Sequence, residues 1–281
     1  MISIERLYPI RRPLAAVLAG AAVATVGGLI GLGGAEFRLP SLIAFFALYP
    51  HRAIRSNLLI SLVTLAMSAA ARVKFLPAVS LGEFRVEIVG MVVGEMIAAW
   101  FGAAYLSRIP EARIMGVIAV LLLITAFLRM AETLIAGATW TVSAHDTMWR
   151  APLAVLAGLV VGLISSLLGV AGGEFIIPIL IFIFGADIKT AGTASVIISI
   201  PVVLTGVTRH CTGHYRSQSM MVFLVLPMSI GSLIGAAMGG YLAAWAPTDA
   251  LRLVLAAILA VSAVKLWSNG NHSPGPRKLP G

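Results

Sequence analysis

Three stretches of this chain carry no charged residue: Pro13–Ala35 and Ala151–Gly173 over 23 residues each, and Ser217–Thr248 over 32. Each exceeds the roughly 20 apolar residues that a helix needs to cross a hydrocarbon core. Inside lipid every backbone N–H and C=O must be paired within the protein, which leaves helices or a closed barrel. The alternating ten-residue segments of a barrel are absent, so the expected fold is an all-α polytopic membrane protein. Composition agrees: 59% of residues are hydrophobic and 11% charged, against about 25% charged in a soluble domain. The mean hydropathy is +1.00. Gly158 and Gly162, and Gly231, Gly235 and Gly239, recur at four-residue spacing. Such stripes let helices pack backbone to backbone, either inside one chain or across a homodimer.

A formal net charge of +9 would suit a nucleic-acid partner, but the Lys and Arg residues fall in short loops and tails between apolar spans. That is where topology-setting charges belong, so the bilayer rather than nucleic acid is the expected partner. Cys211 is the one cysteine and excludes an intrachain disulfide. The start, with Arg6, Arg11, Arg12 and Ala22-Val-Ala24, resembles a signal peptide. The first helix is nevertheless expected to remain, because it has a counterpart in mid-chain.

That counterpart emerges when the sequence is slid by 138 residues. Gly31-Leu-Gly-Gly34 through Pro40 falls on Gly169-Val-Ala-Gly172-Gly173 through Pro178, and 11 of 33 positions match between 31–63 and 169–201. Roughly three matches would arise by chance, so the chain is an internal duplication. Gly20 falls on Gly158. With a one-residue gap, Gly94, Gly102 and Pro110 fall on Gly231, Gly239 and Pro247. The expected divisions are a first repeat over 1–131, a periplasmic linker over 132–149, a second repeat over 150–267 and a disordered cytoplasmic tail over 268–281. Each repeat predicts a first helix (14–31, 151–169) running into a glycine cluster, then a short helix (37–49, 175–186). Three longer helices follow (53–72, 86–107, 111–131; then 189–208, 217–243, 249–267), giving about 8 to 10 membrane segments. At about 1.5 Å per residue the short helices fall short of a roughly 30 Å core, so the first pair in each repeat is expected to be broken or re-entrant.

Loop charges set the orientation. The ends 1–12, 50–55, 108–113, 209–216 and 265–281 hold 12 Lys and Arg residues, and the opposite ends hold seven, Arg72, Lys74, Arg85, Arg129, Arg150, Lys189 and Arg252. The excess predicts both termini in the cytoplasm of a bacterial cell, with the protein in the inner membrane. Each repeat then crosses an odd number of times, and the two are inverted repeats.

The repeated break is the candidate substrate site. Gly31, Gly33 and Gly34, and Gly169, Gly172 and Gly173, let the backbone leave helical geometry, and two inverted short helices would aim their positive ends at one central anion. The alternative is that these glycines serve packing alone. Pro40 and Pro178 are expected in the first turn of the short helices, where a missing N–H costs little. Glu36 and Glu174 follow the breaks directly. An intramembrane carboxyl suggests function, here a proton relay or cation coordination, while a carboxylate beside a helix start also complements its dipole. Glu95 is a third protonation candidate or the ion-pair partner of Arg38. Arg38, matched by Ile176, gives the site positive character or snorkels to water. Ser56, Asn57, Thr193 and Ser195 lie at matching depth, where they bind oxyanion oxygens or bond helix to helix. Arg55 and Arg72 are expected as interfacial anchors. His210, Cys211 and His214 fall short of the three or four convergent ligands of a metal site, so no metal and no cofactor are expected. No nucleotide-binding or hydrolase motif is present, and the chain is not expected to be an enzyme.

The glycine cluster with its following proline, found twice in a two-half layout, resembles the sulfite exporter TauE/SafE family of membrane permeases. The resemblance rests on Gly31-Leu-Gly-Gly34 to Pro40 and Gly169-Val-Ala-Gly172-Gly173 to Pro178. It implies a secondary transporter of a small sulfur-containing anion such as sulfite, a sulfonate or thiosulfate, driven by the proton gradient or the membrane potential. Ala35 and Ala171 interrupt a plain glycine run. The competing expectations are a proton-coupled permease for a cation or neutral metabolite, and a membrane scaffold that transports nothing.

Overall fold

The computed structural model describes residues 13–46, 48–76, 80–106, 147–168, 170–210 and 220–247. These residues form helices and no strand. The first half runs α1 (Pro13–Ile30), α2 (Ala35–Ala44), α3 (Pro50–Phe75), a single 3-10 turn (Leu81–Phe84) and α4 (Arg85–Leu106). The second runs α5 (Thr147–Leu168), α6 (Gly173–Phe182), α7 (Ile188–His210) and α8 (Leu226–Trp245). One wide π turn, Met221–Val225, leads into α8. Pro227 explains that turn, because it cannot donate to the carbonyl four residues back and the ladder loosens there. Among the described residues five helices are long and apolar enough to cross a membrane, within Pro13–Ile30, His51–Phe75, Met148–Ser166, Ile188–Thr208 and Met221–Trp245. The expected helices 111–131 and 249–267 and the tail lie outside the described residues. So does the linker, except that α5 begins at its last three residues.

The molecule is turned inside out relative to a soluble protein. Arg38 and Arg72 are among its largest fully buried side chains, whereas Leu14, Leu18, Phe101, Trp149 and Leu156 lie open on the outside. A water-soluble protein seldom buries arginine and seldom exposes so continuous an apolar surface. In a bilayer the arrangement is the stable one, since charges face the bundle interior and hydrocarbon faces hydrocarbon.

The two halves interlock. The first helix of each half packs on the last described helix of the other, α1 on α8 and α5 on α4, and α3 packs on α7 between them. Glycines set both outer contacts. A side chain at Gly231, Gly235 or Gly239 would run into the carbonyls of Val17, Ala21 and Thr25, and one at Gly94, Gly158 or Gly162 into the backbone of Val155, Met91 and Glu95. The registers correspond: Gly231 meets Val17 as Gly94 meets Val155, and Gly20 meets Met228 as Gly158 meets Met91. The glycine stripes therefore serve packing inside the chain. The order of contacts makes α1 parallel to α8, and α4 parallel to α5. By contrast α3 and α7 run antiparallel, with Arg72 at Thr193 and Leu58 at Gly206.

Candidate substrate site

Both breaks close the same way. Gly34 stands at φ 76°, ψ 11° just before α2, and Gly172 at φ 75°, ψ 4° just before α6. This left-handed conformation costs an L side chain roughly 1–2 kcal/mol, which glycine avoids. Before each break the chain folds back on the end of the preceding helix: Leu32 N–H donates to Gly27 O at 2.8 Å, and Val170 N–H donates to Ser165 O at 3.1 Å. Because a left-handed glycine ends the break, each short helix starts two residues earlier than expected. Pro40 and Pro178 consequently lie inside α2 and α6 rather than at their first turn. A proline at that place offers no N–H to the carbonyl four residues earlier, which is Glu36 O in one half and Glu174 O in the other.

The breaks meet. A Cβ at Gly173 would sit 3.3 Å from both Cα and O of Leu32, and a Cβ at Gly31 would fall on the backbone of Gly192 in α7. Leu32 belongs to the buried cluster of Phe175, Ile176, Ile177 and Leu180, while its counterpart Val170 belongs to that of Leu39, Leu42 and Leu58. Each break thus inserts its apex into the core of the other half. Glu36 and Glu174 are 1% and 2% exposed in the first turns that follow, so two carboxyls lie deep in the bundle at the starts of two helices. Gly169 lies outside the described residues.

The side chains around the breaks differ. Arg38 is fully buried; its Nη1 donates to Ser61 Oγ at 3.0 Å and its Nη2 to Thr64 Oγ1 at 3.0 Å and to Gly33 O at 3.4 Å. Glu36 supplies an opposite charge nearby. Arg38 therefore neither snorkels to water nor pairs with Glu95. Both Glu95 oxygens are buried with no hydrogen-bond partner among the described residues. The position equivalent to Glu95 on α8 is Ser232, whose hydroxyl donates to Gly20 O at 3.3 Å.

Arg72 is not an interfacial anchor either, being 1% exposed. From α3 its Nη1 donates to Gly28 O at 2.7 Å and to Leu29 O at 3.2 Å. Its Nε donates to Thr193 Oγ1 at 3.2 Å, and its Nη2 to Lys189 O at 3.4 Å. The last carbonyls of a helix lack helical donors. Arg72 fills that need at the end of α1 and ties the end to α7 of the other half. Thr193 is thereby engaged by Arg72, and its own hydroxyl donates to Lys189 O at 2.8 Å. Ser56 is turned to Met220, with Oγ 3.8 Å from Sδ. Of the expected polar set, Asn57 and Ser195 reach the breaks: Asn57 Nδ2 donates to Ala35 O at 3.0 Å, and Ser195 Oγ lies beside Gly173.

Ser61, Thr64, Ser165 and Ser199 were not singled out from the sequence. Ser199 Oγ donates to Ala171 O at 3.0 Å, at the place where Arg38 reaches Gly33 O in the first half. Ser61 and Ser199 are one of the identical pairs of the duplication, a signal that was present. An ion pair between Glu87 and Arg150 joins α4 to α5 near their starts. The side chains of Arg209 and His210, together with Cys211 and His214, lie outside the described residues.

Comparison with known proteins follows the same lines. The family model described as Sulfite exporter TauE/SafE matches residues 16–266. The "Probable membrane transporter protein YunE" of Bacillus subtilis (strain 168) is 26% identical over 242 residues, covering 79% of this chain and 86% of that protein. The "Probable membrane transporter protein YdhB" of the same organism is 24% identical over 211 residues, covering 74% and 83%. No solved structure matches.

Proposed function

This chain belongs to the sulfite exporter TauE/SafE family and is a multi-pass membrane transporter; from that premise we propose that it is a permease for a small sulfur-containing anion such as sulfite, a sulfonate or thiosulfate. The observation that carries the reading is the meeting of two left-handed glycine breaks, each opening a short buried helix. Helix starts present N–H groups and a positive dipole end to whatever lies between them. Irregular backbone at membrane depth is stable where protein or a cavity surrounds it, and discontinuous helices of this kind form midplane substrate sites in other transporters.

In this reading the two halves are inverted repeats with both termini in the cytoplasm, supported by the antiparallel α3 and α7 and by the loop charges. The bodies that move are not the sequence halves. Backbone-close glycine contacts hold α1 to α8 and α5 to α4, so the pairs rock about the α3–α7 contact. Protons accompany the anion on Glu36 and Glu174, whose carboxyls would otherwise repel it. Glu95 is a further carrier: when protonated it supplies the donor that Ser232 supplies on the equivalent helix.

Thermal stabilisation of the purified protein by sulfite, thiosulfate, sulfate, sulfoacetate and taurine, at two pH values, tests the substrate class. A shift with a sulfur anion is expected, and none with any anion would overturn it. Glu36→Gln and Glu174→Gln should each abolish transport driven by a pH gradient while expression persists; unchanged proton-coupled uptake in both variants would remove the relay. One observation favours a second reading, a cation substrate: in each half a buried carboxyl, Glu36 or Glu174, stands in the first turn of the short helix. Stabilisation by a cation, lost in Glu36→Gln, would select it.

A further inference from the structure

The second break is lined by two hydroxyls left unused among the described residues. Ser165 on α5 is 1% exposed and Ser195 on α7 is 0% exposed, and neither Oγ has a hydrogen-bond partner among the described residues. They converge on consecutive residues. Ser165 Oγ occupies the space where a Cβ of Gly172 would go, and Ser195 Oγ lies 3.0 Å from the Cβ position of Gly173. Those two glycines are the start of α6; Phe175 N–H and Ile176 N–H donate to Gly172 O at 2.9 and 3.1 Å, and the N–H of Gly173 ahead of them has no helical acceptor. Buried polar groups in native proteins are nearly always satisfied, and the exceptions ask for a reason such as an absent ligand.

The equivalent places in the first half are occupied differently. Ser165 corresponds to Gly27, which has no side chain to offer, and Ser195 corresponds to Asn57, already bonded to Ala35 O. Arg38 closes the first break further by bonding Gly33 O. In the first break charged and amide side chains thus bond the backbone carbonyls, with Arg38 Nε left over among the described residues, while the second keeps two neutral hydroxyls, from two helices, beside a helix start.

We propose that Ser165, Ser195 and the first turn of α6 form the seat for the oxygens of a pyramidal or tetrahedral oxyanion, so that substrate binds off-centre, at the second break. The seat rests on the anion reading of the preceding section and adds where the anion lies and which hydroxyls hold it. A sulfite, the SO3 end of a sulfonate or thiosulfate, and a phosphate all present three oxygens on one face, which two hydroxyls and helix N–H groups complement. Glu174 belongs to the same turn, and it carries its proton while the anion is seated.

The test measures binding of sulfite, thiosulfate, methanesulfonate and phosphate to the full-length protein in nanodiscs. The variants are Ser165→Ala, Ser195→Ala, Ser195→Thr and, as a first-half control, Ser61→Ala. Loss of a hydroxyl that donates to an anion should weaken sulfite binding roughly tenfold in each second-break alanine variant. Ser195→Thr, which keeps the hydroxyl, should bind within about twofold of the parent, as should Ser61→Ala. Ser165→Gly, reproducing the first-half residue, serves if Ser165→Ala does not fold. If the parent binds sulfite and the second-break variants bind it equally well, the seat is wrong and the anion reading stands. If the parent binds none of the four anions, the anion reading itself falls. Phosphate binding as tight as sulfite, lost in the same variants, supports the seat and assigns it to oxyanions in general.

Discussion

The two glycine breaks close on the same left-handed residue but carry different side chains, and in the first Gly31 and Gly33 are left-handed as well. Gly34 and Gly172 share one left-handed conformation, and Leu32 and Val170 each enter the opposite half's core. Around the first break, however, two guanidinium groups bond backbone carbonyls: Arg38 holds Gly33 O, and Arg72 holds Gly28 O and Leu29 O. Around the second, a neutral hydroxyl does the comparable work, Ser199 bonding Ala171 O. Duplication preserved what the backbone needs, because a left-handed residue followed by a helix admits few sequences. It left free what the side chains do, because a carbonyl accepts a hydrogen bond from arginine or serine alike. The difference makes the first break a charged brace and the second a neutral surface with two hydroxyls left over.

The largest expected effects come from filling the glycines. Gly34→Val should abolish folded protein, since its Cβ would meet the main-chain oxygen of Val23 at 2.8 Å and the left-handed backbone adds about 1–2 kcal/mol of strain. Gly172→Ala meets side chains instead, Ser165 Oγ and Val161 Cγ1. It should therefore be partly rescued by Ser165→Ala, whereas no comparable partner change rescues position 34. Melting temperatures of the single and double variants in detergent check this, and equal rescue at both breaks would erase the distinction between them.

Next in size is Arg72. Arg72→Met leaves Gly28 O, Leu29 O and Lys189 O without this donor and should destabilise by about 3 kcal/mol or more, at roughly 1–3 kcal/mol per buried group left unpaired. A melting temperature like that of the parent would show that the tie between α1 and α7 carries little.

Arg38→Ile copies the residue of the other half and should be milder, about 1–2 kcal/mol, because Ser61 can turn to Gly33 O as Ser199 turns to Ala171 O. Anion uptake, measured beside stability, then separates brace from binding: a folded variant with normal uptake would confine Arg38 to the brace. The smallest effect belongs to Gly82→Ala, within about 0.5 kcal/mol, since nothing lies within 4 Å of the added Cβ. A larger change there would mean that glycine counts alone, and not contacts, govern these helices.

The candidate site was legible in part. The breaks, the carboxyls at 36 and 174 and the positions of Asn57 and Ser195 could be read from the duplication, since each is tied to a local backbone feature that repeats. Thr193 and Ser56 make contacts between elements, the alternative expected beside oxyanion binding, whereas Arg72 was misread as an anchor. Distance from a helix end suggests exposure to the interface, but it does not say whether another helix end arrives at the same place. Pro40 and Pro178 were placed a turn too early because the first turn was counted from the charged residues and not from the glycine that caps it.

By itself the amino-acid order determined that this protein crosses a membrane as helices, that it is built twice, and where each copy breaks. Those properties depend on hydropathy over tens of residues and on glycine and proline, whose effects are local. Only the tertiary structure decided that the first helix of each half packs on the last described helix of the other, that both arginines serve the first break, and that Ser165 meets Gly172. Those facts depend on which backbones come close enough to touch, and a glycine stripe permits close approach without naming its partner.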